Sequence, residues 1–341
     1  MTSTGLAQLS EVLVTGATGT YTLAMAAYTG EYAFGRRGRI ADTSAPVREA
    51  ALVGANANAN ADANANTNGM VEPSRFGTGS VQTQRDPGAR WGRVAVGLTI
   101  VAAMLHLASV TIRGVAVDRV PWGNMYEFTL VVGLIAVFAW LAVLVKSPAI
   151  RYLGVFVMMP VLVVMFLAGT LYTKASKLVP ALQSYWLAIH VSSVAIAEGI
   201  LMTSAALTIL YLVRNKYERG GEPDHPSRLA KLGSRLPPAA TLDKVAYRTV
   251  AFAFPIYTFG VIAGAIWAEA AWGRYWGWDP KETWAFIAWV IYATYLHARA
   301  TAGWKGNRAA YVNLVGFGAM TFNFFVVNIV ISGLHSYAGL N

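Results

Sequence analysis

Residues 125–145 read MYEFTLVVGLIAVFAWLAVLV, an apolar run whose only charged residue, Glu127, stands near its start. About 20 apolar residues let a helix cross the hydrocarbon of a bilayer. Seven more such runs lie at about 9–31, 94–112, 151–172, 185–212, 249–270, 283–299 and 309–333. The first is the weakest, because Thr15, Gly16, Thr18 and Thr20 dilute it. Apolar residues make 55% of the 341-residue chain and charged residues 13%, a balance suited to lipid as solvent. The expectation is an all-α, polytopic membrane bundle of about eight transmembrane helices.

A net charge of +10 could point to nucleic acid, but the cations fall in alternate loops and no nucleic-acid partner is expected. Arg36, Arg37, Arg39, Arg48, Arg75, Arg85, Arg90 and Arg93 precede the second run. Arg214, Lys216, Arg219, Arg228, Lys231, Arg235, Lys244 and Arg248 precede the sixth, and Arg299, Lys305 and Arg308 separate the last two. The opposite loops hold only Arg113, Arg119, Lys174, Lys177, Arg274 and Lys281. The positive-inside bias then places both termini outside, in agreement with an even number of crossings. No Lys or Arg precedes the first run and no small-residue cleavage site follows it, so residues 1–34 read as a retained first helix. There is no cysteine, so any thiol chemistry must come from a partner.

Residues 35–91, with the run Asn56-Ala57-Asn58-Ala59-Asn60-Ala61, are too polar to bury a core and read as a disordered basic inner linker. The basic loop 214–246 suits the anionic inner leaflet, and His225 within it reads as an ordinary solvated histidine. The outer loops are short and aromatic. One is Arg119-Val120-Pro121-Trp122-Gly123-Asn124-Met125-Tyr126-Glu127, and another runs from Lys174 to Ser184. A third, 267–289, holds six of the eleven tryptophans, and the last is the tail from His335.

Within 267–289 stands Trp272-Gly273-Arg274-Tyr275-Trp276-Gly277-Trp278-Asp279-Pro280-Lys281-Glu282-Thr283-Trp284. Trp and Tyr gather at membrane interfaces, and Asp279-Pro280-Lys281-Glu282 spells a helix start with its cap. An interfacial belt spreads its rings over many helix ends, however. Here Trp272, Tyr275, Trp276 and Trp278 crowd into seven residues, as a shelf for a flat apolar ligand would. Haem is such a ligand and takes imidazole axial ligands. His190, about five residues inside the fifth run, and His335, just beyond the eighth, share the shelf's side of the membrane and could ligate iron from opposite faces. His297 lies about 21 Å below Thr283 on the seventh run; it marks either a deeper haem position or a histidine bonded to a neighbouring helix. His106 reads as structural, with a haem contact as the minority reading, and Glu198 either pairs with a histidine or is protonated.

The tryptophan-rich signature, the stretch Pro121 to Glu127 and the flanking histidines resemble the haem-handling proteins of cytochrome c biogenesis, of the CcsA/ResC type in the system II pathway. The resemblance covers most of 92–341 and none of 35–91. It implies that the loop 267–289 faces outside and holds haem b in transit. The residues it places at that haem are Trp272, Tyr275, Trp276, Trp278 and Asp279, with His190 and His335 as ligands. His297 looks like the family's transmembrane histidine, its opposite ligand coming from a CcsB/ResB-type companion subunit. Other implied partners are an apocytochrome c with a Cys-x-x-Cys-His segment and a thiol-reducing protein, in a bacterial cell membrane. Related groups carry Trp where this chain has Tyr275, which keeps an aromatic face.

The implied reaction adds two thiols across the haem vinyl groups. This chain contributes positioning to a holocytochrome c synthase complex, and no residue in it reads as a dedicated acid–base catalyst. Two other functions compete: a b-type electron-transfer subunit that retains its haem, and a haem-free transporter relaying protons through Glu198 and His297.

Overall fold

Each apolar run becomes a helix in the computed structural model, which describes residues 2–35, 88–176, 178, 183–220 and 227–335. The long helices are α1 (Ser3–Phe34), α2 (Gly88–Val117), α3 (Met125–Lys146), α4 (Gly154–Thr170) and α5 (Tyr185–Gly220). After the short α6 (Arg228–Arg235) come α7 (Ala239–Trp272), α8 (Pro280–Ala300), α9 (Asn307–Thr321) and the single turn α10 (Val327–Ile329). A 3-10 segment, Pro148–Leu153, leads into α4, and a π turn, Phe322–Val326, joins α9 to α10. There is no strand among the described residues.

Six segments are long and apolar enough to cross a membrane: α2, α3, Pro148–Thr170, α5, α7 and Asn307–Ile329. The chain is therefore a polytopic helical membrane bundle. Helices α1 and α8 are not among the six, although both belong to the bundle. In α1 the hydroxyls of Thr15, Thr18 and Thr20 each donate to the carbonyl four residues back, so they satisfy themselves without water.

Most of the expected linker and all of the stretch around His225 lie outside the described residues. The helix after the linker starts earlier than the apolar run suggested: residues 88–91 already belong to α2, where Trp91 packs over Gly30 of α1.

Helix α1 lies along α2, α5 along α7, α3 on α4 and α5, and α9 on α8 and α5. The α5–α7 pair positions the site. Gly260 and Gly264 are one turn apart on α7 and face α5: a Cβ on Gly260 would stand 3.1 Å from Val194, and one on Gly264 would stand 2.6 Å from Nδ1 of His190. Small residues four apart let two membrane helices approach this closely. Helix α8 is tied to α7 by Tyr257 Oη donating to the Ala285 carbonyl (2.9 Å) and Trp289 Nε1 donating to Thr258 Oγ1 (2.9 Å).

Candidate functional site

Two helix caps at one end of the bundle build the site. Helix α8 begins at Asp279, which accepts from Lys281 N (3.3 Å), while Glu282 reaches back to accept from Asp279 N (3.1 Å) and Gly277 N (2.8 Å). Arg274 closes the loop by pairing with Glu282 (3.0 Å). Gly273 at φ 70° ends α7 in the left-handed cap that glycine favours. Trp278 also takes a left-handed conformation, φ 59°, a strained choice for a bulky residue. Helix α3 opens in the same way, with Asn124 accepting from Glu127 N (2.9 Å) and Glu127 accepting from Gly123 N (2.9 Å). Glu127, fully buried, also holds Arg113 (2.8 Å) and Arg119 (2.7 Å).

Beyond α10 the chain returns to Asp279. The Asp279 carboxylate accepts from Leu334 N (2.8 Å) and from Nδ1 of His335 (2.8 Å). Burial alone would raise its pKa, but the hydrogen bonds from His335, Leu334 and Lys281 outweigh it and hold the carboxyl at about 2. Burial also holds the His335 imidazole below the usual histidine range, against the upward pull of Asp279. The ring therefore stays neutral at neutral pH. With Nδ1 donating to a carboxylate, Nε2 carries the lone pair.

His190, near the start of α5, reaches the same tautomer by another route. Its Nδ1 lies 2.7 Å from the carbonyl oxygen of Gly260; a carbonyl can only accept, so Nδ1 carries the proton and Nε2 the lone pair. Both imidazoles rest on Trp267, which is 2% exposed. His190 stacks parallel to it (centroids 6.2 Å apart, 11°), and His335 meets it edge-on at 5.8 Å while touching Trp272 at 5.0 Å. The two rings thus lie within about 12 Å of each other, and both line one cleft that opens to solvent.

Trp122, Met125, Leu187 and Phe324 give this cleft apolar walls, while Glu198, Lys281, Asn323 and Asn328 give it polar groups. A smaller neighbouring cleft shares both histidines and adds Trp272, Tyr275 and Trp276. The π turn places Asn323 and Phe324 on the cleft wall, a local geometry frequent at functional sites.

Trp272, Tyr275, Trp276 and Asp279 thus gather at His190 and His335. Trp278 does not: its left-handed backbone turns the ring outward, where it is 63% exposed and packs edge-on against Trp276 and Phe286. His297 is exposed on α8 and lines neither cleft. His106 is fully buried in the core against Tyr21, with Nδ1 3.4 Å from its hydroxyl, as the structural reading expects. The charge that faces Glu198 belongs to Lys281, not to a histidine.

Trp267, Gly260, Gly264, Lys281 and Asn323 escaped the sequence reading. Only the glycines had a visible signal, the spacing Gly260-x-x-x-Gly264 in an apolar helix.

Residues 122–335 match the family described as Cytochrome C assembly protein. The match opens at Trp122 and closes at His335, both of which line the larger cleft. The cytochrome c biogenesis protein CcsA of Guillardia theta is 36% identical over 262 residues, covering 73% of this chain and 86% of that protein. The protein of the same name from Gloeobacter violaceus is 33% identical over 300 residues, covering 73% and 87%. A solved structure of the Cytochrome c Heme Lyase CcmF shares the fold, with a TM-score of 0.61 at 18% identity. All of this chain is covered, and it spans about half (49%) of that structure's length.

Proposed function

This chain belongs to the cytochrome c assembly protein family, as a CcsA-type biogenesis protein of cytochrome c maturation and haem handling, and we propose that its larger cleft binds haem between His190 and His335 and presents it to apocytochrome c. The observation that carries this reading is the pair of imidazoles. Each donates from Nδ1 to a fixed oxygen, each keeps its Nε2 lone pair, and both rest on one tryptophan. Haem b is then substrate in transit rather than a resident group.

The cleft end of the bundle faces outside in this reading. The number of cations supports that orientation: the described loops at the cleft end hold Arg113, Arg119, Lys174, Arg274 and Lys281. The larger set lies at the opposite end, with Arg214, Lys216, Arg219, Arg228, Lys231, Arg235, Lys244, Arg299, Lys305 and Arg308.

The haem edge supplies the vinyl groups, and each apocytochrome thiol adds across one of them, sulfur to one carbon and its hydrogen to the other. This chain's residues hold the acceptor still and exclude water. Positioning of this kind supplies effective concentrations worth roughly 7–11 kcal/mol in well-oriented reactions. The substrate histidine then displaces His190 or His335. A CcsB/ResB-type companion covers α8, where His297 shares an exposed stripe with Phe286, Val290 and Thr294, and a thiol-reducing protein keeps the apocytochrome cysteines reduced.

The test is co-expression with the companion, with His190, His335 and His297 replaced singly by Gly. Holocytochrome c should fall in all three, and added imidazole should restore part of it for His190→Gly and His335→Gly. Normal yields from both of those variants would sink the assignment.

A further inference from the structure

The cleft holds an amino group without a counter-ion in contact. Lys281, in the first turn of α8, lines both clefts, and its Nζ donates to the Asn328 amide oxygen at 2.6 Å. Among the described residues no carboxylate forms an ion pair with it. Glu198 lines the same cleft and is 5% exposed; it and Asp279 act on Lys281 across a gap, without a direct bond. An ammonium with no carboxylate in contact is costly beside Phe324, Trp267 and Val194, because burying a charge without a paired counter-ion is unfavourable. It fits a ligand that brings its own anion.

We infer that Lys281, with Asn328 holding its ammonium, is a carboxylate-binding subsite that takes one haem propionate and so fixes which edge of the porphyrin turns toward the incoming thiols. The inference rests on haem binding in this cleft. Haem carries its two propionates at one edge and its vinyl groups toward the other. With both faces of the iron taken by His190 and His335, the remaining freedom is rotation in the plane. A single cation at one wall removes that freedom, since an ion pair screened from water is far stronger than one on the surface. Lys281 is then a positioning residue: it leaves the iron ligands alone and selects the edge presented.

The experiment compares haem with haem dimethyl ester, whose propionates are neutral, by titrating each into the haem-free complex of the full chain and its companion in detergent. The wild type should prefer haem by about tenfold or more, which corresponds to about 1.4 kcal/mol. Lys281→Met should bring that ratio to within about twofold while the bound haem keeps its low-spin, two-imidazole spectrum, and Lys281→Arg should restore the preference. Glu198→Gln should leave the ratio at the wild-type value or above it.

An unchanged ratio in Lys281→Met overturns the inference. So does a ratio that collapses in Glu198→Gln, which would make Lys281 only the counter-ion of Glu198. Failure of the haem reading itself looks different: the wild type would then take up neither compound with a low-spin spectrum, and both proposals would fall.

Discussion

The loop at 119–127 and the loop at 272–282 share a plan. In each, a Trp-Gly pair precedes a helix, the glycine N–H donates to a glutamate in the first turn, and an arginine pairs with that glutamate. They differ in what the capping side chain does next. Asn124 is spent on Glu127 N, and Glu127 is closed off by two arginines with side-chain exposures of 1% and 10%. Asp279 caps α8 and still has the capacity to accept from Leu334 and His335. One loop is a plug. The other is a bracket that carries a candidate ligand, and the single change from amide to carboxylate at the cap makes that possible.

The largest difference should appear in stability. Glu127→Gln leaves two buried guanidinium groups facing each other and should cost about 3–5 kcal/mol. Glu282→Gln, whose partner Arg274 is 31% exposed, should cost about 1–2 kcal/mol. Thermal unfolding in detergent ranks the two, and equal losses would break the distinction between plug and bracket.

Next comes Gly264→Ala. Its methyl group meets the His190 ring, so overpacking of about 1–3 kcal/mol should be accompanied by loss of bound haem, read from the Soret absorbance per mole of purified complex.

Asp279→Asn separates the two duties of the bracket. Asn caps a helix about as well as Asp, so the unfolding temperature should hold. The charged acceptor for His335 is lost, and haem should bind about 10–100-fold more weakly. Acid supplies the same test. The Asp279 carboxyl is held at about 2 in the folded chain, below its ordinary 3.8. Its contribution is therefore complete above pH 4 and is lost as the pH falls through about 2. Titration of haem affinity between pH 7 and pH 5 should show no step from this group.

The smallest effect belongs to Tyr275→Trp. Tyr275 is 62% exposed, and its replacement by the residue that related groups carry should shift haem affinity by no more than about twofold.

The helices were legible because an apolar run of span length has few alternatives in lipid. The bracket was legible in part, since Asp279-Pro280-Lys281-Glu282 announces a cap, while nothing local says that Asp279 also meets His335, 56 residues away. The shelf was legible as four aromatic residues within seven positions, but not how they divide: Trp272, Tyr275 and Trp276 line the smaller cleft, while the left-handed turn at Trp278 sets that ring outward. The ring beneath both histidines, Trp267, lies inside α7 and looked like any interfacial tryptophan. The π turn that brings Asn323 to the wall has no signature in the sequence. Lys281 reads as an ordinary first-turn cation until the cleft is seen around it.

The central claim is that His190 and His335 share one iron. Electron paramagnetic resonance of the ferric complex, alone and with each histidine changed in turn to Gly, tests it most directly. The wild type should give a low-spin, two-imidazole signal. Either variant should turn high-spin and return to low-spin when imidazole is added. A two-imidazole signal that persists unchanged in both single variants would contradict the account.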